Sequence, residues 1–142
     1  MPIVYDLRAV VRTVAIAYEG RVTEPEYHAA YVRLYTDPAY RSGYSELVDC
    51  RGVTAFDVSV QAIRNVGEMA VVAAGTPPAP ARVAIVAGDD VMYGLSRLYQ
   101  TIQEPTSEVV EVFRNIAEAR RWLGLEPERE ARAAPLPDSR PQ

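Results

Sequence analysis

Apolar runs with the period of β-strands alternate along the chain with runs that have the period of α-helices. Five segments are rich in Val, Ile and Tyr or are short apolar runs between turn signals, and they predict strands over 3–8, 11–18, 45–50, 82–87 and 108–114. Four further segments have apolar residues that recur every three or four positions, at i, i+3, i+4 and i+7 in the first of them, which predicts helices. The predicted order of elements is ββαβαβαβα.

Capping residues support the helix starts. Thr23-Glu24-Pro25-Glu26 is a capping box with proline in the first turn. A loop over 51–56 precedes the second helix, Gly88-Asp89-Asp90 the third, and Asn115 the fourth. The residues predicted to face inward are Tyr27, Ala30, Tyr31 and Leu34; then Val60, Ile63, Val66, Gly67, Ala70, Val71 and Ala74; then Val91, Leu95, Leu98 and Ile102; and finally Ile116, Ala119 and Leu123.

Single helices between consecutive strands imply right-handed parallel crossovers. The fold class is therefore α/β, with a mixed, mostly parallel five-stranded sheet covered by helices. We expect this domain to span residues 1–124. Residues 125–142 contain four of the eleven prolines, mixed charges and no aromatic residue, which predicts a tail that does not order by itself.

The ionisable residues exclude several kinds of chemistry. All 15 basic residues are arginines, and there is one histidine, His28, and one cysteine, Cys50. Without lysine there is no Schiff base, pyridoxal-phosphate anchor or Walker phosphate-binding loop. One histidine and one cysteine cannot form the usual zinc sets or an intrachain disulfide. His28 lies outside the apolar stripe of its helix and is predicted to be at the surface.

Charge and hydropathy bear on partners and location. The net charge of −4 and the interleaving of arginines with 19 carboxylates argue against binding of nucleic acid. No apolar run approaches the roughly 18 residues of a membrane helix, and no basic segment precedes an apolar core at the start of the chain. We therefore expect a cytoplasmic protein without membrane insertion.

Ligands of open α/β sheets bind beyond the carboxyl ends of the parallel strands. Helix N-termini point amide donors at the same edge, so the sequence predicts a site there for an anion or a protein partner. The alternative is that the polar residues at this edge cap helices or form local contacts. We call the following set the rim: Asp49, Arg51, Gly52, Asp57, Ser59, Gly88, Asp89, Asp90 and Arg114.

Metal binding and nucleophilic catalysis are weaker interpretations of the rim. Its carboxylates suit Mg²⁺, but no ligand spacing distinguishes a metal site from helix capping. Cys50 would be nucleophilic only with a lowered pKa, whereas a free cysteine at a strand end is most often a small buried hydrophobe. The sequence therefore predicts no metal, no cofactor and no enzymatic activity.

Tyrosine is unusually frequent, with nine tyrosines beside two phenylalanines and one tryptophan. Its apolar body and polar hydroxyl suit either a core with hydroxyls at its edge, or an interface or mixed pocket. The tyrosine-rich helix and the first strands also offer a surface for a homodimer, which the sequence leaves undecided. The candidate pocket or interface residues are Tyr27, Tyr31, Tyr35 and Tyr44, with Tyr40 close by.

The element order and several segments together resemble the SpoIIAA-like branch of the STAS superfamily, over about residues 3–124. The segments are Glu-Gly-Arg-Val-Thr at 19–23, Leu-Val-Asp-Cys-Arg-Gly-Val at 47–53, Val-Ala-Gly-Asp-Asp at 86–90, Val-Phe-Arg at 112–114, and Ala119 with Trp122-Leu123. The resemblance implies a domain that acts by binding. The superfamily includes anti-sigma-factor antagonists, cytoplasmic domains of anion transporters and folds similar to lipid-exchange domains.

One position departs from the antagonists, in which a phosphorylatable serine directly follows an aspartate at the start of the helix after the central strand. Here Val58 follows Asp57, and Ser59 is either a shifted acceptor or a helix cap. The resemblance thus implies a non-enzymatic regulatory module that binds a protein partner through residues 51–59 without the standard phosphoserine. The alternative is a carrier of a small amphipathic or lipid-like ligand in a tyrosine-lined pocket between the first helix and the sheet.

Overall fold

The computed structural model describes residues 1–79 and 81–125. Its elements follow the predicted order and are β1 (Ile3–Val10), β2 (Thr13–Thr23), α1 (Glu24–Tyr35), β3 (Ser45–Asp57), α2 (Val60–Ala73), β4 (Ala81–Val86), α3 (Asp90–Gln103), β5 (Glu108–Phe113) and α4 (Ile116–Trp122).

The strands form a five-stranded sheet in the order β1-β2-β3-β4-β5. β1 pairs antiparallel with β2, and the other neighbours pair parallel. Helices α1, α2 and α3 pack on one face over the larger core, and α4 packs on the other face against Leu47, Ala84 and Val86. The predicted α/β class and mixed, mostly parallel sheet are confirmed.

The first three strands are longer than the sequence predicts, and the expected loop over 51–56 is wrong. β3 continues to Asp57 because residues 52–57 pair with an extension of β2, from Glu19↔Gly52 to Thr23↔Asp57. Gly20, two residues beyond the predicted end of the second strand, has φ 70 and lies beside a register shift within β2. Glycine adopts this conformation at little cost, so the strand bends there instead of ending.

The buried face of α1 agrees with the prediction, whereas the faces of α2 and α3 differ. Tyr27, Ala30, Tyr31 and Leu34 are the buried residues of α1, and His28 is exposed as expected. In α2, Val60 and Val71 are exposed. In α3, Val91 is exposed, and the buried residues are Met92, Ser96 and Gln103. Hydrophobic spacing correctly placed Leu95, Leu98 and Ile102 against the core. It wrongly assigned Val91, and it missed Ser96 and Gln103 because these two buried residues are polar.

The described residues end just after α4. Leu125, the first residue of the expected tail, packs on the smaller core beside α4. The rest of that expected tail, 126–142, lies outside the described residues. Within 1–79 and 81–125, no helix is long and apolar enough to cross a membrane.

Val66 and Val72 provide a matched test of the buried face of α2, because Val66 is 2% exposed and Val72 is 80% exposed. Val66→Ala removes packed core atoms, so we expect the free energy of unfolding to fall by about 2 kcal/mol. Val72→Ala should change it by less than about 0.5 kcal/mol. Urea denaturation followed by circular dichroism measures both changes, and equal effects would contradict this orientation of α2.

Candidate functional site

Part of the predicted rim lies where β3 runs beside the end of β4. Arg51 donates from its backbone N–H and from Nε to Asp49 Oδ1, and its guanidinium also pairs with Oδ2 at 2.8 Å. Partial burial raises the pKa of Asp49, but the Arg51 contacts outweigh it and hold that pKa below its usual range. A Cβ at Gly88 would lie 3.1 Å from Arg51 Cα, so this glycine permits a close backbone approach.

The start of α3 carries a second group of rim residues. Asp89 caps the helix by accepting the Met92 N–H at 2.8 Å. Asp90 pairs with Arg114 at 2.7 Å, and the Arg114 guanidinium also lies over the Tyr93 ring, 4.4 Å from its centre. These contacts fit the interpretation of the rim as caps and local polar pairs.

A third group surrounds the start of α2, away from the first two. Asp57 pairs with Arg21 at 2.7 Å, and both side chains are largely exposed. Ser59 caps α2 by accepting the Ala62 N–H at 3.1 Å, and its own N–H donates to Glu24 at 2.9 Å. Asp57 lies eight positions after Asp49 along β3, a span of roughly 25 Å. The predicted rim residues therefore lie on two surfaces, one that holds the first two groups and one at the start of α2. At Gly52, a Cβ would meet Glu19 and the backbone of Tyr18, so this glycine permits close packing of β3 against β2.

The tyrosines form a chain of ring contacts across the large core. It runs from Phe56 through Tyr27, Tyr31, Tyr35 and Tyr40 to Tyr44, with adjacent ring centres 5.2–6.0 Å apart. Tyr18 joins it through a 2.5 Å hydrogen bond between the Tyr18 and Tyr31 hydroxyls. Most of these rings pack in the large core, which agrees with the interpretation of the tyrosines as core residues with hydroxyls at the edge.

A cavity of about 50 Å³ lies between the sheet and helices α1, α2 and α3. Tyr27 and Tyr31 line it, as predicted for a pocket, whereas Tyr35 and Tyr44 do not. The residues around it are Tyr18, Tyr27, Tyr31, Glu46, Val48, Cys50, Phe56, Ile63, Val66, Val83, Ile85, Met92, Leu95, Ser96 and Tyr99.

Two carboxyl groups lie on this face of the sheet, Glu46 buried at the amino end of β3 and Glu108 partly buried at the amino end of β5. The Tyr35 hydroxyl donates to Glu46 at 2.7 Å. The Tyr99 hydroxyl and the Gln103 side-chain amide donate to Glu108 at 2.6 and 3.0 Å. The Gln103 side-chain amide also donates to the Gly67 carbonyl, and a Cβ at Gly67 would lie 2.7 Å from Oε1 of Gln103. Because residue 67 has no side chain, Gln103 of α3 fits beside the Glu108 carboxyl group.

Burial shifts the pKa values of these groups in the direction that favours their neutral forms. It raises the pKa of Glu46 to about 8, helped by the charge of Glu108, and the hydrogen bond from Tyr35 acts against the shift. Burial also raises the pKa of Glu108, against its hydrogen bonds from Tyr99 and Gln103. The pKa of the Cys50 thiol is raised by burial first and by the charge of Asp49 second. Cys50 is therefore a neutral core thiol.

Ser96 lines the cavity, and its side-chain oxygen has no hydrogen-bond partner in the described part of the chain. It is 4% exposed, and its Oγ is a buried side-chain polar atom without a hydrogen bond among residues 1–79 and 81–125. An unpaired buried hydroxyl is costly and calls for an explanation. Sequence reasoning missed Ser96, Glu46 and Glu108; the signal available was a polar residue at an otherwise apolar strand or helix position.

Metal binding has no support in the described part of the chain, where no group of three or more His, Cys, Asp or Glu side chains is placed to hold an ion. The carboxylates of Asp49, Asp57 and Asp90 instead pair with arginines.

Comparison with known proteins bears on the fold. No family model matches the chain. No curated protein matches it either. Among solved structures, it is similar to an uncharacterised protein of the DUF3478 family with a SpoIIAA-like fold from Shewanella loihica PV-4. The two are 16% identical, the TM-score is 0.54, and the match covers 85% of this chain and 93% of the other. This chain has a SpoIIAA-like fold. At this identity the likeness concerns the fold alone.

The buried carboxyl of this SpoIIAA-like domain predicts a pH dependence of stability. Glu46 has a pKa of about 8 in the folded protein and an ordinary value of 4.5. The folded state thus binds the proton more tightly, so stability is greatest below pH 4.5, falls as the pH rises toward 8 and levels off above that.

Glu46→Gln should remove this dependence while leaving an acceptor for Tyr35. Between pH 5 and 8.5 we expect wild type to lose about 2–4 kcal/mol of unfolding free energy relative to Glu46→Gln, and Glu108 to account for any slope that remains. The exposed Glu68→Gln is the matched control and should follow wild type. Urea titrations across this pH range measure the effect; parallel profiles for all three proteins would refute it.

Proposed function

We propose that the protein is a non-enzymatic binding module that binds a protein partner through the surface where α2 begins. We call this the α2 entry surface; it consists of Arg21, Asp57, Val58, Ser59 and Val60. The observation that carries the proposal is the exposure of Val60, 48%, directly beside the exposed Asp57–Arg21 ion pair. An exposed apolar side chain flanked by a charged pair has the composition of a protein-binding patch, with an apolar centre and a polar edge.

The hydrogen bonds at this surface favour a protein over a small anion. An anion at a helix N-terminus needs free backbone N–H donors. Here the side chain of Ser59 accepts the Ala62 N–H, and Glu24 accepts the N–H of Ser59. Asp57 adds a further carboxylate. Two negative charges and two occupied amides therefore oppose an anion.

The same contacts support binding without a phosphoserine. Val58 occupies the residue directly after Asp57, and Ser59 already serves as the cap of α2. A phosphate on Ser59 would lie beside the Glu24 carboxylate that accepts its N–H, and like charges repel at this separation. We therefore assign Ser59 a structural role at the helix start.

Absence of catalysis forms part of this proposal. Cys50 is buried, and burial raises the pKa of its thiol, whereas a nucleophilic cysteine needs a lowered one. His28 is exposed on α1 and does not line the cavity that Cys50 lines. The candidate nucleophile thus has no histidine base beside it.

A second candidate function is binding of a small molecule, and the cavity beneath α1, α2 and α3 favours it. At about 50 Å³ the cavity holds a few water-sized groups, since one water needs about 10–15 Å³ by this measure. This size suits a small ligand better than a lipid chain.

The partner proposal is tested with paired variants. Val60→Asp and Asp57→Arg alter the α2 entry surface, and an aspartate in the first turn of α2 is favourable for the helix. Their matched controls are Val109→Asp, at a valine that is 50% exposed, and Glu111→Arg, at an exposed glutamate; both lie on β5. A partner captured from lysate of the source organism should be retained by both controls.

Binding of that partner, once purified, should weaken at least tenfold with each entry-surface variant in calorimetry. Unchanged affinity in both would contradict the proposal. Light scattering of the wild type identifies the case in which the partner is a second copy of this chain; Val60→Asp should then dissociate the dimer and Val109→Asp should not.

A further inference from the structure

We propose that the cavity beneath α1, α2 and α3 binds a small organic ammonium ion, paired with the Glu46 carboxylate and surrounded by the tyrosine and phenylalanine rings of the lining. This site is separate from the α2 entry surface and does not depend on the proposed partner.

The first observation is a buried carboxyl group with no cation beside it. Glu46 is 5% exposed, and its one hydrogen bond within residues 1–79 and 81–125 comes from the neutral Tyr35 hydroxyl. The ion pairs of these residues lie elsewhere, at Arg21, Arg51 and Arg114. None of the arginines in this part of the chain is buried, and the protein has no lysine. A buried carboxylate needs a compensating positive charge, and residues 1–79 and 81–125 bring none to this cavity.

The second observation is the aromatic lining. Tyr18, Tyr27 and Phe56 contact one another on one side, with the Tyr27 and Phe56 ring centres 5.6 Å apart, and Tyr31 and Tyr99 complete the set. Aromatic faces attract cations through the ring quadrupole, and organic ammonium ions are recognised by several rings at once. The same rings repel a carboxylate ligand, as does Glu46.

Ser96 supplies the third observation, and it points directly to a missing ligand. Its Oγ is buried, lines the cavity and has no partner among the described residues. An ammonium group has three N–H donors and no acceptor, whereas Glu46 and Ser96 provide acceptor oxygens. An ammonium ion in the cavity therefore satisfies both at once.

The cavity volume limits the ligand. About 50 Å³ has room for roughly three to five water-sized groups, which corresponds to an alkylammonium ion of about four non-hydrogen atoms. The apolar part of the ligand would face Val48, Ile63 and Met92, which line the same space. Propylammonium is a probe of this size and chemistry.

Proton exchange gives the site a measurable signature. Burial raises the pKa of Glu46 to about 8, so near neutral pH the empty site holds a neutral carboxyl group. Binding replaces its proton by the ligand cation: Glu46-COOH and R-NH₃⁺ give Glu46-COO⁻ paired with R-NH₃⁺, and one H⁺ leaves to solvent. Affinity should therefore rise up to tenfold per pH unit below pH 8. The other titratable groups that act on Glu46 or are affected by its charge are Tyr27, Tyr31, Tyr35, Tyr40, Tyr99 and Glu108.

The test uses propylammonium chloride, 1-propanol and sodium propionate as probes of the full-length protein, in NMR titrations and in calorimetry with two buffers of different ionisation enthalpy. We expect propylammonium to bind at least tenfold more tightly than 1-propanol at pH 8, propionate not to bind, and close to one proton to be released per ligand at pH 6.5. Equal affinities for the three probes, no binding of propylammonium, or no proton release would each overturn the proposal.

Variants locate the site. Glu46→Gln keeps the Tyr35 hydrogen bond and should weaken propylammonium binding at least tenfold and abolish its pH dependence. Ser96→Ala removes one acceptor and should weaken binding several-fold with the pH dependence intact. The exposed Glu68→Gln is the control and should bind as wild type does. If Glu46→Gln binds propylammonium as tightly as wild type, the carboxylate does not hold the ligand and the proposal fails. Circular dichroism confirms that each variant is folded.

Discussion

The parallel pairing of β2 with β3 positions the helices and both candidate sites. The two strands remain paired from Thr13↔Ser45 to Thr23↔Asp57, so they end at the same level of the sheet. Helices α1 and α2 follow these ends directly and therefore begin side by side, where Glu24 of α1 accepts the N–H of Ser59. This junction forms the α2 entry surface, and the bodies of the same two helices cover the cavity. Without the extension of β3 beyond Gly52, Asp57 would not lie beside Arg21.

The large core combines a continuous aromatic packing with two carboxyl groups that have no cationic partner in the described part of the chain. Tyr35, Tyr99 and Gln103 give hydrogen bonds to Glu46 and Glu108, and these bonds offset part of the cost of burying the carboxyls. The raised pKa values show that the cost is not fully offset. Perturbed groups of this kind concentrate at functional sites, although structural networks also produce them. The orphaned Ser96 hydroxyl in the same cavity favours the functional explanation.

Hydrophobic periodicity was enough to predict the order of elements, the mixed sheet and the buried face of α1. It failed wherever polar side chains are buried. On α3, the polar residues Ser96 and Gln103 face the core, whereas the apolar spacing had predicted Val91 there. Glu46 had the pattern of an ordinary polar residue at the start of a strand, yet it is buried. The expected loop over 51–56 failed for another reason: Gly52 and Gly20 suggested turns, whereas the long-range pairing of β3 with β2 holds the segment extended. Pairing between distant segments has no local signal, and a polar residue at an otherwise apolar position does not by itself indicate burial.

The distribution of charge separates the two sites chemically. A lysine-free chain must use arginine for every basic side chain, and the guanidinium is large, planar and always charged. The described arginines accordingly remain outside the core, where they pair with Asp49, Asp57 and Asp90 and screen the carboxylates there. Glu46 and Glu108 have no described arginine beside them, and their hydrogen bonds come from tyrosine and glutamine side chains. The described surface therefore carries paired charges of both signs, whereas the interior beneath α1, α2 and α3 retains acidic groups that no cation of residues 1–79 and 81–125 neutralises, which leaves that role to a proton or to the small external cation that we propose.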